Sequence, residues 1–367
     1  MHRALLGLIA FALIAGACLG PAATSPSPTR TVDIKRSKLD IAYSAFVDQD
    51  VHHVTSKRAL ESSLAAVKAA VRRAGGTDEV ATPSFQDVDE PQIADFKKFA
   101  DAVSQLAVKN PQVSTITLAD TAIGGMIDAS PDCHTFYVGS SAVRQSRPFT
   151  PRGANAMIPS QGTSLGGPDE AGLTGKMLPG GIAYVTFRQF VITGNYKIPE
   201  KLRALLDKAV AQGAKAWLFD LRGNLGGVAT DIHSMFLNGE PTFTVLVKSG
   251  AGGTATANKD LRLPPAYQLP IVVIMNDRSA SDTEIFALSL KENNRGTIVG
   301  QKSIGCLGAA SPNHFSDGNE LSVVTQEFTG AISGAKYNNA GIPPDVEADD
   351  ATAVDKSIEI LKQKLAP

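Results

Sequence analysis

Three short stretches of the chain carry side chains suited to catalysis. The first is NDRSASDTE (Asn276–Glu284), the second is DLRGNLGG (Asp220–Gly227) and the third is DCHTFYV (Asp132–Val138). Each follows a hydrophobic element and a turn, where catalytic residues tend to lie. Together they could supply a hydroxyl nucleophile, backbone amides that bind an oxyanion, and an imidazole base.

The nucleophile candidate is Ser281. A buried strand is predicted to end at Asn276, which places Ser281 in the first turn of a helix. Unpaired N–H groups and the positive end of the helix dipole favour a developing oxyanion there. However, Ser279, Ser281 and Thr283 are also residues that cap helices well, so this stretch alone is more typical of a helix start than of a nucleophile.

The glycine-rich stretch follows a predicted strand that ends with Asp220. Its three glycines permit positive φ angles and close approach of the backbone, which suits an oxyanion hole. An ordinary strand-to-helix turn, with Asp220 paired to Arg222, is the alternative. The Gly-Lys-Ser/Thr ending of a phosphate-binding loop is absent from the stretch.

The base candidate is His134, because imidazole titrates near neutral pH. A single histidine is nevertheless more often a surface residue or a satisfied core residue. His233, on the predicted helix after the glycine turn, is the rival base, and His52, His53 and His314 are expected to face solvent.

The elements around these stretches predict an α/β fold with a helical N-terminal segment. Residues 32–145 show helical spacing of apolar residues, and residues 146–179 are rich in Gly, Pro and Ser and are predicted to form a long connection. From residue 180 to residue 367, strands alternate with helices, which favours largely parallel strands. Strands are predicted at 182–188, 216–221, 242–247 and 269–276, and a helix at 199–212.

The N-terminus predicts export. Residues 1–18 read as a signal peptide, and Cys18 follows small residues as in the lipid-attachment site of bacterial lipoproteins. Residues 19–31 are rich in Pro, Ser and Thr and would form a tether. We expect a cell-envelope protein, either a membrane-anchored lipoprotein or, after plain cleavage near Cys18, a periplasmic or extracellular protein.

Composition narrows the function classes. A formal net charge of -1 gives no reason to expect nucleic acid or an anionic membrane as partner, so membrane association is expected only through the lipid anchor. No His/Cys/Asp cluster has the spacing of a metal site, and no motif indicates a cofactor.

In their order along the chain, the motifs resemble the C-terminal-processing (tail-specific) serine proteases and their tricorn-core relatives. The matching run is IAYVTF, then DLRGNLGG, then SASDTE, then GIPPDV (Gly341–Val346), with DCHT upstream. The resemblance implies a crotonase-like (ClpP/crotonase) βαβ-spiral core and peptide or protein substrates. It also implies Ser281 as nucleophile, with N–H groups of Gly226 or Gly227 and of Asp282 as the oxyanion hole.

Two departures from the family's pattern change the expected base. The processing proteases place a lysine 25 residues after the serine, where this chain has Cys306, and Lys302 lies four residues too early. The segment between DCHT and the core is also too short for a PDZ domain. The resemblance therefore implies the branch that uses serine and histidine, with His134 as general base.

The third catalytic residue is less clear from the sequence. Tricorn-like relatives place a glutamate just before the Gly-Ile-x-Pro-Asp run, whereas this chain has Asn338 and Asn339. An asparagine can orient an imidazole but cannot stabilise its charged form with a charge of its own. We therefore assign Asn338 to that position as a hypothesis.

The same alignment of motifs suggests a disulfide. Cys133 adjoins the candidate base, and Cys306 occupies the place of the lysine beside the serine. If His134 reaches Ser281, the two cysteines must be neighbours, and a Cys133–Cys306 bond would hold the base in place. Two buried thiols are the alternative.

The leading hypothesis is thus an exported serine peptidase that forms an acyl-enzyme on Ser281. The alternative is an inactive relative that binds peptides, supported by the missing lysine and glutamate. Acyl-CoA chemistry on a crotonase-like fold fits poorly, because export would remove the chain from its coenzyme.

Overall fold

The structure, a computed structural model, describes residues 34–139, 143–145 and 152–366. The predicted signal peptide, the tether and Cys18 lie outside the described residues. Within those residues, no helix combines the length and the apolar character that a membrane span requires.

Four helices form the N-terminal part of the chain: α1 (Ile34–Gln49), α2 (Ser56–Arg73), α3 (Ile93–Lys109) and α4 (Thr115–Ala129). They pack their apolar faces into one core that includes Phe46 and Phe99. The helices α2 and α4 approach closely at Gly125, where a Cβ atom would lie 2.6 Å from Ser63 Cα. These are the helices that the apolar spacing predicts.

The strands follow in two groups. In the first half of the chain they are β1 (Phe136–Val138), β2 (Val143–Gln145), β3 (Thr163–Gly166), β4 (Thr174–Leu178), β5 (Ile182–Thr186), β6 (Ile192–Thr193), β7 (Tyr196–Lys197) and β8 (Ala216–Asp220). Further along they are β9 (Pro241–Val247), β10 (Gly250–Thr256), β11 (Ile271–Met275), β12 (Gly296–Gly300), β13 (Gly308–His314), β14 (Glu320–Gly330) and β15 (Val346–Glu347). The helices among them are α5 (Ile198–Ala211), α6 (Asp231–Ser234), α7 (Asp282–Glu292) and α8 (Ala353–Leu365).

A seven-stranded sheet forms the centre of the molecule, in the order β15-β12-β11-β8-β5-β4-β3. Its first five strands are parallel, whereas β4 and β3 are antiparallel to their neighbours. Every residue of β5, β8 and β11 is buried. This explains their near-continuous apolar sequences, because a parallel sheet is covered on both faces.

The two faces of this sheet belong to different cores. Trp217 and Phe219 of β8 point to one side, where they share a core with residues of α5 and α7 such as Leu206 and Phe286. Leu218 points to the other side, with residues of α8. The α/β fold class is therefore confirmed.

The second sheet is antiparallel and joins the two ends of the chain. Its order is β10-β9-β14-β1-β2, with β13 also paired to β14. Because β1 pairs with β14, the segment that carries His134 is attached to strands near the C-terminus. Phe315 and Leu321 from those strands complete the core of the N-terminal helices.

One detail of the predicted organisation is wrong. The segment 146–179 is not only a connection, because it supplies β3 and β4; both strands are short and contain a glycine, and a Cβ atom on Gly175 would lie 2.7 Å from Leu205 Cδ2. The predicted strand at 242–247 is confirmed as β9, and it belongs to the antiparallel sheet. The predicted helix after the glycine turn is confirmed as the single turn α6.

A disulfide also links the N-terminal segment to the central domain. Cys133 and Cys306 are bonded, with their Cα atoms 5.8 Å apart and a sequence separation of 173. This is the pair named from the sequence. The bond lies beside β1, so the disulfide and the β1–β14 pairing fix the same segment.

We expect peptide mapping of the oxidised protein to recover Cys133 and Cys306 in one linked peptide, with neither thiol free under denaturing, non-reducing conditions. Closing a loop of this length stabilises the folded state by about 5 kcal/mol in the chain-entropy model. Reduction should therefore lower the thermal unfolding midpoint, and the double variant Cys133→Ser/Cys306→Ser should show the same lowered midpoint with or without reductant. Two free thiols at these positions would contradict the pairing.

Candidate active site

Ser281 lies at a sharp turn between β11 and α7. Its backbone has φ 55° and ψ -122°, a conformation that a residue with a side chain adopts only when its surroundings impose it. A strained strand-to-helix turn of this kind exposes a nucleophile at the edge of the sheet. Ser281 is half-buried, whereas the residues on either side of it, Ala280 and Asp282, are buried.

The neighbouring serine has a structural position. Ser279 is fully buried, and its hydroxyl donates to the Leu221 carbonyl at 2.9 Å and accepts from the Asn276 N–H at 3.1 Å. It therefore ties the turn after β11 to the end of β8. Of the two serines, only Ser281 is accessible to a substrate.

A buried carboxylate holds the Ser281 turn in place. Glu284 is fully buried, and its Oε2 accepts from the N–H groups of Ser281 at 2.9 Å and Cys306 at 2.8 Å. Its Oε1 accepts from the Ser303 hydroxyl at 2.5 Å and the Gly305 N–H at 2.8 Å. Burial raises the pKa of Glu284, and these four hydrogen bonds oppose that rise.

The glycine turn after β8 packs directly against Ser281. A Cβ atom on Gly226 would lie 2.6 Å from Ser281 Cβ and 2.7 Å from Asp282 N, and Gly226 has φ 81°. Only glycine satisfies both constraints at this position. The backbone of the turn therefore lies so close to Ser281 that no side chain fits between them.

The N–H groups that were predicted to bind the oxyanion differ in whether they already donate a hydrogen bond within the protein. The Gly226 N–H donates to Asn224 Oδ1 at 2.9 Å, so it is already engaged and is not a free donor. Within the described residues, the N–H groups of Gly227 and Asp282 have no hydrogen-bond partner. These two groups are the ones that could bind an oxyanion beside Ser281.

Asp220 and Arg222, by contrast, form an internal ion pair. Both are buried, with Arg222 Nε 2.9 Å from Asp220 Oδ1 and Arg222 Nη2 2.7 Å from Asp220 Oδ2. Tyr184 adds a hydrogen bond to the same carboxylate at 3.1 Å. This geometry supports the alternative given in the sequence analysis, in which Asp220 and Arg222 pair with each other in a structural role.

His134 lies beside the disulfide, close to the Ser281 turn. Its Nε2 is 3.6 Å from Cys306 Sγ, and its Nδ1 is 3.2 Å from Cys133 Sγ and 3.4 Å from Asp132 Oδ1. The described hydrogen bonds include none between the His134 ring and the Ser281 hydroxyl. The two residues are nevertheless near each other, because Cys306 N–H and Ser281 N–H bind the same oxygen of Glu284.

Asn338 does not contact the His134 ring through a hydrogen bond in the described part of the chain. Its Oδ1 accepts from the Leu307 N–H at 3.0 Å, and its Nδ2 donates to Asp132 Oδ2 at 2.7 Å. The described hydrogen bonds of Asn338 thus include none to the His134 ring, and its role as third catalytic residue stays a prediction. The amide acts on Asp132, which in turn contacts His134.

The remaining histidines divide into two groups. His53 and His314 are exposed, as predicted, with 54% and 71% of their side chains accessible. His52 was expected to face solvent but lies against Asp132, with Nε2 3.2 Å from Oδ2. The hydrogen bond to Asp132 raises the pKa of His52 despite partial burial. Sequence reasoning missed this contact because the two residues are 80 positions apart.

The rival base His233 is enclosed. It is 1% exposed, its ring packs against Phe190 and Phe286, and its Nε2 is 2.9 Å from Asp282 Oδ1. No hydrogen bond joins it to the Ser281 hydroxyl among those described. Lys302 is exposed and has no described hydrogen bond to Ser281 either.

The site does not suit a metal ion. Ligand atoms of Cys133, His134 and Cys306 lie within 4.8 Å of one another, and they are the set of this kind found in the described residues. However, the two sulfur atoms are bonded to each other, and a disulfide lacks the thiolates that a metal would bind.

The chain is similar in sequence to known peptidases. Residues 181–348 match the family model described as peptidase family S41. The chain is 28% identical over 154 residues to the carboxy-terminal processing protease CtpA of Bacillus subtilis, covering 41% of this chain and 32% of that protein. It is 28% identical over 214 residues to a carboxyl-terminal-processing protease of Synechocystis sp., covering 54% and 48% respectively. The matches thus span about a third to a half of these relatives.

A solved structure extends the likeness in fold to nearly the whole chain. A lipoprotein from Streptococcus agalactiae superposes with a TM-score of 0.52 at 14% identity, covering 94% of this chain and all of that one. At this identity the likeness concerns the fold alone. The N-terminal helices and the central sheet therefore occur together in another protein.

The glycine turn gives a test of the site's geometry. We expect Gly226→Ala to abolish labelling of Ser281 by a fluorophosphonate probe, because the new Cβ would displace Ser281 and Asp282. Gly213→Ala is the matched control, since Gly213 also has φ 81° but nothing within 4 Å of a Cβ. It should share the cost of the backbone strain, about 1–2 kcal/mol, and keep the labelling. Equal labelling of both variants would show that the close contact is not needed.

Proposed function

Residues 181–348 form a domain of peptidase family S41, and from this premise we propose that the chain is a serine peptidase that acts through an acyl-enzyme on Ser281. The observation that carries the proposal is the strained, accessible turn of Ser281, packed against Gly226. The free N–H groups of Gly227 and Asp282 on either side of it provide the oxyanion site.

The chemistry follows from these positions. Ser281 Oγ attacks the carbonyl carbon of a peptide bond, and the oxyanion of the tetrahedral intermediate accepts from the two N–H groups. His134 takes the Oγ proton and gives it to the leaving amine; water then enters and releases the acyl group by the reverse sequence. Catalytic hydrogen bonds are often long in free enzymes and shorten on substrate binding.

Peptide or protein substrates follow from the proposed activity. The relatives named above are processing proteases, and this chain shares their catalytic domain but only part of their length. We propose that an extended peptide binds as an added strand near the Ser281 turn, since main-chain hydrogen bonds recognise peptides without regard to most side chains.

Two further proposals concern architecture and location. The consecutive parallel strands β5, β8, β11 and β12, three of them linked through helices, support a crotonase-like βαβ-spiral core. The apolar N-terminal run and Cys18 support export and attachment to the cell envelope through a lipid. A disulfide between Cys133 and Cys306 is typical of an oxidising compartment and fits the same location.

A peptide-binding protein without activity is the second candidate. Two observations favour it: no described hydrogen bond activates the Ser281 hydroxyl, and the position of the family's lysine is held by Cys306 in a disulfide. Such a protein would keep the strand-binding surface and lose the chemistry.

A fluorophosphonate probe separates the two candidates. We expect the wild-type protein to be labelled at one residue and Ser281→Ala to lose the label entirely, because the probe reacts only with an activated hydroxyl. Ser84→Ala, at an exposed serine near the N-terminal helices, is the control and should label as the wild type does. A wild-type protein that binds peptides but never labels would favour the binding protein.

A further inference from the structure

We infer that Asp132 is the positioning carboxylate of the active site. It takes the role of the glutamate that tricorn-like relatives have where this chain has Asn338 and Asn339. This inference rests on the proposed function, because it assigns the partner of the proposed base His134. It concerns the side chain immediately before Cys133, which neither the family match nor the sequence motif assigns to this role.

The first support is the geometry around Asp132 Oδ1. This oxygen accepts from the His134 backbone N–H at 2.7 Å and lies 3.4 Å from the His134 ring at Nδ1. The Asp-x-His spacing produces this arrangement locally, as an aspartate readily binds the N–H two residues on. With Nδ1 facing a carboxylate, the proton of neutral His134 belongs on Nδ1, and Nε2 is left to accept a proton from serine.

The second support is that Asp132 is itself firmly held. Its Oδ2 accepts from Asn338 Nδ2 at 2.7 Å and lies 3.2 Å from His52 Nε2. Asn339 adds a hydrogen bond to the neighbouring Pro131 carbonyl at 3.2 Å. The two asparagines at the position of the relatives' glutamate thus bind the segment that carries Asp132. In this chain the negative charge near His134 is that of Asp132.

The third support is the ionisation of Asp132. Its side chain is fully buried, and burial alone would raise the pKa of the carboxyl. Hydrogen bonds from His134 and His52 outweigh burial and hold the pKa of Asp132 far below its usual value. Asp132 is therefore an anion at any pH at which the enzyme would work, and it can stabilise the imidazolium form of His134 during catalysis.

A purely structural role is the competing interpretation, because Asp132 joins three segments of the chain. The two roles predict different results for Asp132→Asn, which keeps the size of the side chain, removes its charge and replaces one acceptor oxygen by a donating NH₂ group. A positioning role predicts that kcat falls by about 10²–10⁴-fold with KM changed less than about threefold, as loss of an orienting carboxylate does elsewhere. A structural role predicts a lowered unfolding midpoint with kcat unchanged for the folded fraction.

His314→Gln is the matched control. It removes an exposed histidine that lies 3.5 Å from another carboxylate, Glu320, and leaves Asp132 and all its contacts in place, so kcat should stay within about threefold of wild type. The substrate for these assays is a casein or peptide library in which wild-type cleavage has been shown. If the wild type cleaves nothing and takes no fluorophosphonate label, the proposed function has failed. If it cleaves and Asp132→Asn cleaves equally fast, only the role of Asp132 has failed.

A spectroscopic measurement decides the matter if Asp132→Asn does not fold. In ¹⁵N NMR spectra of the wild-type protein with the His134 ring neutral, the ring should carry its proton on Nδ1, with the signal assigned by its loss in His134→Gln. A ring protonated on Nε2 would overturn the inference. A ring protonated on Nδ1 would support it, since the backbone alone gives no preference for that tautomer.

Discussion

The candidate site depends on the carboxylate of Glu284. One fully buried side chain accepts from the Ser281 N–H and from three groups of the loop at residues 303–306, and so joins that loop to the start of α7. A buried carboxylate is costly unless each of its lone pairs is satisfied, so this cluster is stable only with all four donors in place. Glu284 therefore fixes the backbone of Ser281 and the backbone of Cys306 relative to each other.

From this cluster the structure extends outward in two directions. On one side, the glycine turn after β8 fits against Ser281 because Gly226 has no side chain, and Asn224 holds that turn through the Gly226 N–H. On the other side, Cys306 is bonded to Cys133, which places the His134 segment beside the loop. The Ser281 turn thus contacts the glycine turn directly and is joined to the His134 segment through Glu284 and Cys306, so the proposed site is built from three separate segments.

The sequence predicted the features that depend on local patterns. Near-continuous apolar runs predicted β5, β8 and β11, and the order of motifs predicted the Cys133–Cys306 pair, whereas the role of Ser281 stays a prediction. The sequence could not show that the Gly226 N–H is used internally, because this depends on the side-chain rotamer of Asn224. Nor could it place His52 on Asp132, a contact made by folding between residues 80 positions apart. Short strands such as β3 and β4 carry too few apolar residues to stand out from a loop.

The pairing of β1 with β14 has a consequence for folding during synthesis of the chain. The N-terminal helices are made first, yet Phe315 and Leu321, which complete their core, are among the last parts of the chain to be synthesised. Contacts so distant in sequence form late, after a large loss of chain entropy. A growing chain accordingly carries His134 and Ser281 on separate parts that are not yet packed together. The proposed site is therefore complete only after the strands near residue 320 have been made and have paired with β1.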